Sequence, residues 1–141
     1  MMRTDHAMTI LLYCLVLLLA SCADYQEAIK ARVDHLSSET RFTEPLPPKP
    51  FDSDGCSLWW NGDWVDCCVD HDLGYWMGGT CKERSEFDLR LKDCVAAKGH
   101  PFMADAMYLG VRVGGVWWLP TPFRWGFGWE YPQSGPPGVP H

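Results

Sequence analysis

Two adjacent cysteines, Cys67 and Cys68, constrain this chain more than any other feature. They lie in a stretch, Val65 to Met77, that reads as a helix, and Gly78-Gly79 supplies residues able to take the left-handed conformation that ends one. Neighbouring side chains on a helix point about 100° apart, so the pair is suited to tying that helix to two different elements. Cys56, Cys81 and Cys94 bring the cysteines of this region to five. Five is odd, so at least one is unpaired or pairs outside the chain. A zinc site is the competing reading, because Cys67, Cys68, His71 and Cys81 include good ligand types. Against it, zinc sites usually present Cys-x2-Cys or His-x3-His spacings, and vicinal cysteines chelate poorly because their side chains diverge.

The start of the chain bears on that choice through the compartment it implies. Ile10 to Leu19 is apolar, uncharged and too short to span a bilayer comfortably, which is the pattern of an export signal. It ends in Leu19-Ala20-Ser21-Cys22, which resembles the lipobox of bacterial lipoproteins, where small residues permit cleavage before a Cys that receives a diacylglyceryl group. The expectation is a signal peptide over residues 1–21, lipidation of Cys22, and membrane attachment through it in the cell envelope, facing the periplasm or on the outer membrane. An ordinary cleaved signal or an uncleaved anchor is the alternative, since Arg3 is offset by Asp5. Cys14 leaves with the signal. An exported chain favours disulfides.

Of the 141 residues about 120 remain after such a signal, enough for one compact domain and too few for two. The net charge of -6 leaves no basic patch to neutralise phosphates, so nucleic acid is not an expected partner. The sequence names no protein partner. Residues 22–50 are expected to form a polar spacer, with a short helix around Tyr25 to His35 and a stiff proline run from Glu44 to Pro50. The domain is expected over 51–118. It opens on loop chemistry, Asp54-Gly55-Cys56 through Asn61-Gly62-Asp63, before the helix from Val65. Thr80 with Glu83 makes a capping-box pattern for a second helix, which reaches Lys98 and stops at Gly99. Phe87, Leu91, Cys94 and Val95 share one stripe of it. Pro101 suits the first turn of a third helix, on which Met103, Met107 and Val111 recur at helical spacing before Gly114-Gly115. No stretch alternates with strand period, so the expected class is all-α. The tail, 119–141, is aromatic and rich in Pro and Gly. Its rings, with Trp117 and Trp118, read either as an interfacial anchor or as a cover for apolar helix faces.

On the first helix, Cys68, His71, Asp72 and Tyr75 fall at i, i+3, i+4 and i+7, so they share a face. A His beside an Asp is by itself an ordinary solvated surface. A polar face pinned by two cysteines is different, because it cannot roll away from the core and its charges then need partners.

The run Cys67-Cys68-Val69-Asp70-His71-Asp72-Leu73-Gly74-Tyr75 resembles the signature of the secretory phospholipase A2 superfamily, Cys-Cys-x-x-His-Asp-x-x-Tyr. His71 to Tyr75 looks most like the bacterial and fungal branch, and Asp54-Gly55-Cys56 matches that branch's calcium loop. The resemblance covers roughly Asp54 to Cys94. It implies a small disulfide-linked domain with two antiparallel helices carrying the site and a third beside them. It also implies hydrolysis of a phospholipid acyl ester with Ca2+ as cofactor. His71 would be the general base, Asp88 on the partner helix would orient it, and Tyr75 would hydrogen-bond to Asp88. Asp72, the side chain of Asp54 and the main-chain oxygen of Gly55 would bind calcium, with Asn61 and Asp63 as less supported additions. The expected disulfides are Cys56 to Cys68 and Cys67 to Cys94, which leaves Cys81 over. Taken alone, Asp88 also fits a surface ion pair with Arg84 or Lys92 at i-4 and i+4, and Tyr75 fits a core aromatic. The loop between Cys56 and Cys68 is shorter than the family's. Gly74 stands where animal enzymes have a Cys, and Phe87 where its partner would be. A non-catalytic envelope lipoprotein that binds lipid or protein on the same scaffold is the second function class.

Overall fold

The computed structural model describes residues 45–139, together with the isolated positions Glu27, Lys30, Ala31 and His35, which are helical. The expected signal, the lipobox and Cys22 lie outside the described residues, as does most of the expected short helix. Three helices follow in order: α1, Val65–Met77; α2, Cys81–Ala97; and α3, Pro101–Gly114. No strand occurs among the described residues. None of their helices is long and apolar enough to cross a membrane.

Local chemistry sets the boundaries. α1 ends where Gly78 and Gly79 adopt φ of 67° and 130°, conformations that a Cβ would strain. The Thr80–Glu83 capping box forms in full: each side chain takes the other's free N–H at the start of α2. Pro101 sits at the start of α3, where its missing N–H would have had no helical partner.

Both disulfides form, Cys56–Cys68 and Cys67–Cys94. The second joins the first turn of α1 to the last turns of α2 and so sets the two helices antiparallel. Each such bridge contributes about 2–4 kcal/mol in a domain of this size. Cys81 is free and exposed. With Cys67 and Cys68 both oxidised, the zinc alternative loses two of its four ligands. α2 packs against α1 on one side and α3 on the other. The core between them holds the disulfide sulfurs, Trp64, Leu91, Val95, Ala104 and Met107.

The packed unit continues past residue 118. The last carbonyls of a helix have no partner within it, and here the tail supplies them. Gly126 N–H donates to Tyr75 O at 2.7 Å and Gly128 N–H to Trp76 O at 3.2 Å. The Trp129 indole donates to Met77 O at 2.7 Å, and that of Trp125 to Gly79 O at 2.8 Å. Trp125 is 1% exposed and Trp129 is also buried, so these rings cover the end of α1. The buried Arg124 guanidinium fixes the tail by donating to the carbonyls of Trp125, Trp129 and Gln133. The end of the proline spacer joins the same layer. Pro47 is buried, and Trp76 Nε1 donates to Lys49 O at 2.7 Å.

Candidate active site

His71 and Asp88 meet at the α1–α2 interface. The Nε2–H of His71 donates to Asp88 Oδ1 at 2.9 Å, and the Tyr75 hydroxyl donates to the same oxygen at 2.7 Å. Both residues are buried, Asp88 completely and His71 at 7% exposure. With Nε2 committed to the carboxylate, a neutral ring carries its lone pair on Nδ1, and this ring lines an open cavity.

The other oxygen of Asp88 belongs to arginine. Arg112 Nη1 on α3 donates to Oδ2 at 2.7 Å, and Arg84 Nε lies 3.9 Å from it. Arg84 is itself buried. It donates to the Tyr75 hydroxyl and, through Nη2, to the carbonyls of Val111 and Arg112 near the end of α3. Burial pushes the Asp88 carboxyl upward, but the hydrogen bonds from His71, Arg112 and Tyr75 outweigh it and hold the group below the ordinary carboxylate value. The Tyr75 phenol is pushed up, first by burial and then by the Asp88 charge, so it stays protonated and able to donate. The surface-pair alternative for Asp88 does not hold, because the carboxylate is fully buried. Arg84 does share it, in the interior, while Lys92 turns instead to Asp105 at 2.7 Å.

Beside the dyad, Asp72 is half-buried, and its Oδ2 accepts from Ser53 Oγ at 2.6 Å. Its carboxyl is pushed up to about 8, mainly by burial; the Ser53 hydrogen bond opposes the shift and the Asp54 charge adds to it. Such a group wants a proton or a cation. Asp54 is exposed and accepts from Ser57 Oγ at 2.7 Å. Gly55 between them has φ of 85°, and its N–H donates to Ser53 Oγ at 3.1 Å. A Cβ on Gly55 would press on Asn61 Oδ1 at 2.7 Å. Asn61 spends that oxygen on the Cys56 N–H, and Asp63 pairs with His100 at 3.0 Å, so neither joins the Asp72 group. No group of three or more His, Cys, Asp or Glu side chains gathers as a metal cluster among the described residues. Beside Asp72 stand the Ser53 hydroxyl, bonded to it, and Asp54, near enough for its charge to be felt; both are oxygen donors, the type that calcium takes more readily than zinc.

A cavity of about 240 Å³ opens over these groups, with His71 and Asp72 in its wall and an otherwise largely apolar lining that includes Trp59, Met107, Val111 and Phe123. Gly74 and Phe87 also face each other across α1 and α2: a Cβ on Gly74 would run into the Phe87 ring, with Cγ 2.5 Å away. Sequence reasoning missed Ser53 and Arg112. The Asp52-Ser53-Asp54 run was a visible signal for the first, whereas Arg112 lies 24 positions beyond Asp88 and no local spacing connects them.

Over the described residues, fold and site together define an all-helical, disulfide-linked unit with a buried His–Asp dyad at an apolar cavity. No family model, no curated protein and no solved structure matches it.

Proposed function

We propose that this protein is a calcium-dependent, phospholipase A2-like hydrolase that cleaves an acyl ester of a phospholipid in the cell envelope, held at the membrane through lipidated Cys22. The observation that carries the reading is the His71–Asp88–Tyr75 arrangement. A histidine with one nitrogen bound to a buried carboxylate lines a largely apolar cavity of about 240 Å³. The nine-residue resemblance around His71 and the Asp54-Gly55-Cys56 match support it independently.

In this reading Nδ1 of His71 takes a proton from water as that water attacks the ester carbonyl carbon. Asp88 fixes the tautomer and offsets the charge of the imidazolium that forms. The proton then passes to the departing lysolipid oxygen, so the products are a fatty acid and a free hydroxyl. Asp72, Asp54 and the main-chain oxygen of Gly55 would hold calcium, whose chemistry when bound is to polarise the ester carbonyl and offset negative charge on its oxygen. Tyr75 and the two arginines keep Asp88 in place.

The surface beside the cavity suits a lipid substrate. On α3, Phe102 is 84% exposed, and Leu109 and Val113 are exposed on the same side. Leu58, in the cavity wall, is 84% exposed and held at φ of 60°, a conformation unusual for leucine. Such an apolar edge is at home on a bilayer. The short loop and the lack of a carboxylate cluster favour the second reading, a scaffold that binds lipid without cleaving it. Fatty-acid release from mixed phospholipid micelles by the full chain, with and without calcium, separates the two: release that needs calcium supports the hydrolase, and none from folded, oxidised protein supports the binder.

A further inference from the structure

The last torsion of an aspartate side chain is broad and roughly two-fold, so rotamer preference does not set the plane of the carboxylate. The groups bonded to it do. In Asp88, Oδ1 accepts from His71 and Tyr75, both on α1, at 2.9 and 2.7 Å. These bonds hold one oxygen and leave the plane able to turn about it. The bond to the other oxygen comes from α3, where Arg112 Nη1 donates to Oδ2 at 2.7 Å. Arg84, one turn before Asp88 on α2, is no substitute. Its Nε stands 3.9 Å from Oδ2, beyond hydrogen-bond range, and its Nη2 is occupied by the carbonyls of Val111 and Arg112 at 2.9 and 2.8 Å. The two arginines therefore cross. α2 sends Arg84 to the main chain of the last turn of α3, and that same turn sends the Arg112 side chain back to Asp88. Asp88 is fully buried while the Arg112 side chain is 33% exposed, so Arg112 reaches the carboxylate from the surface.

We propose that Arg112 is a positioning residue for the dyad: by bonding the second oxygen of Asp88 it fixes the carboxylate plane that keeps His71 in its Nε2–H tautomer, and the turn of α3 clasped by Arg84 is what puts it there. The inference rests on the hydrolase reading for its kinetic consequence alone. Arg112 acts through Asp88 and lies outside the cavity wall, so it leaves substrate binding untouched. With its bond gone the carboxylate turns and its hold on the Nε2 proton loosens. The ring then populates the other tautomer, whose proton sits on Nδ1, where no lone pair is left to accept from water. The planar guanidinium suits the task because its donors point in fixed directions, whereas an ammonium is a point charge on a flexible stem.

The test uses the full, oxidised chain as wild type, Arg112→Gln and Arg112→Lys. Two things are read: kcat and KM on mixed phospholipid micelles with calcium, and the tautomer of the neutral His71 ring from its nitrogen NMR shifts, assigned by comparison with His71→Gln. Wild type is expected to hold the Nε2–H tautomer alone. Arg112→Gln is expected to lose about 10- to 100-fold in kcat, the usual cost of removing a partner that orients a working side chain, with KM within about twofold and both tautomers populated. Arg112→Lys keeps the charge without the planar fork and falls between the two on both readouts. A merely structural arginine would lower Tm and leave the tautomer as it is, so a folded Arg112→Gln that keeps the wild-type tautomer or the wild-type kcat overturns the proposal. If Arg112→Gln does not fold, Arg112→Lys decides by the same two criteria. If wild type releases no fatty acid, the hydrolase reading fails and the tautomer alone decides: both forms appearing in the variants sustains the inference, and an unchanged ring, or a wild type already mixed, overturns it.

Discussion

Asp88 is the residue on which the site turns, because one buried carboxylate accepts from His71, Tyr75 and Arg112 and lies close to Arg84. Replacing it with asparagine removes the only negative charge among two arginines. Breaking a buried charge network in this way costs about 3–5 kcal/mol, so Asp88→Asn is expected to lower the urea midpoint of unfolding substantially. The sign of its pH dependence follows from the lowered folded-state value. The stability that ionised Asp88 contributes is fully present above its unfolded value, about 4, and is lost as pH falls through the lower folded one. Urea midpoints measured down the acid limb should therefore fall more steeply in wild type than in Asp88→Asn; equal slopes would exclude Asp88 as the titrating group. A second prediction concerns Gly74 and Phe87. Phe87 Cγ is 2.5 Å from where a Gly74 Cβ would sit, which puts the Phe87 Cβ, one bond further, inside the roughly 4.5 Å that a disulfide spans. The double variant Gly74→Cys and Phe87→Cys should form a third disulfide, detectable as the loss of two free thiols, whereas Gly74→Ala alone should overpack the ring and destabilise by about 1–3 kcal/mol. Helix spacing alone places His71, Asp72 and Tyr75 on one face. The proximity of Asp88 was legible only through the resemblance, and Arg112 was not legible, because its partner is chosen by how α3 lies on α2.

At the scale of elements, the helices were readable because their signals are local. The Thr80–Glu83 box, the Gly78-Gly79 stop and Pro101 each act within a few residues of the boundary they set. The tail was not readable, since its order comes from carbonyls at the end of α1 that lie about 50 residues earlier, a relation that no periodicity reports. Arg124→Ala removes the donor to three carbonyls, and a buried acceptor left unpaired costs about 1–3 kcal/mol. The variant should show a lower Tm and faster proteolysis within 119–139; wild-type proteolysis there would mean the tail does not need that clamp. α3 has its own prediction. Phe102→Asp with Leu109→Asp should weaken association with phospholipid vesicles, measured by cosedimentation, while leaving Tm nearly unchanged because both side chains are exposed. Undiminished vesicle binding would place the lipid-facing surface elsewhere.

At the scale of the molecule, the described residues form three helices, held by two disulfides and a wrapped tail, that bring His71, with Asp88 buried behind it, and Asp72 to one apolar cavity. The pairing of Cys67 with Cys94 sets α1 and α2 in the antiparallel register at which His71 and Asp88 face each other. The measurement that bears most directly on the proposed chemistry is fatty-acid release from phospholipid micelles by the full, oxidised chain, compared with His71→Gln and with chelated calcium. The hydrolase reading predicts release that stops when calcium is removed and falls by about 10²- to 10⁴-fold in His71→Gln, the range that a general base supplies. Release that survives either change, or none at all from folded protein, would contradict it.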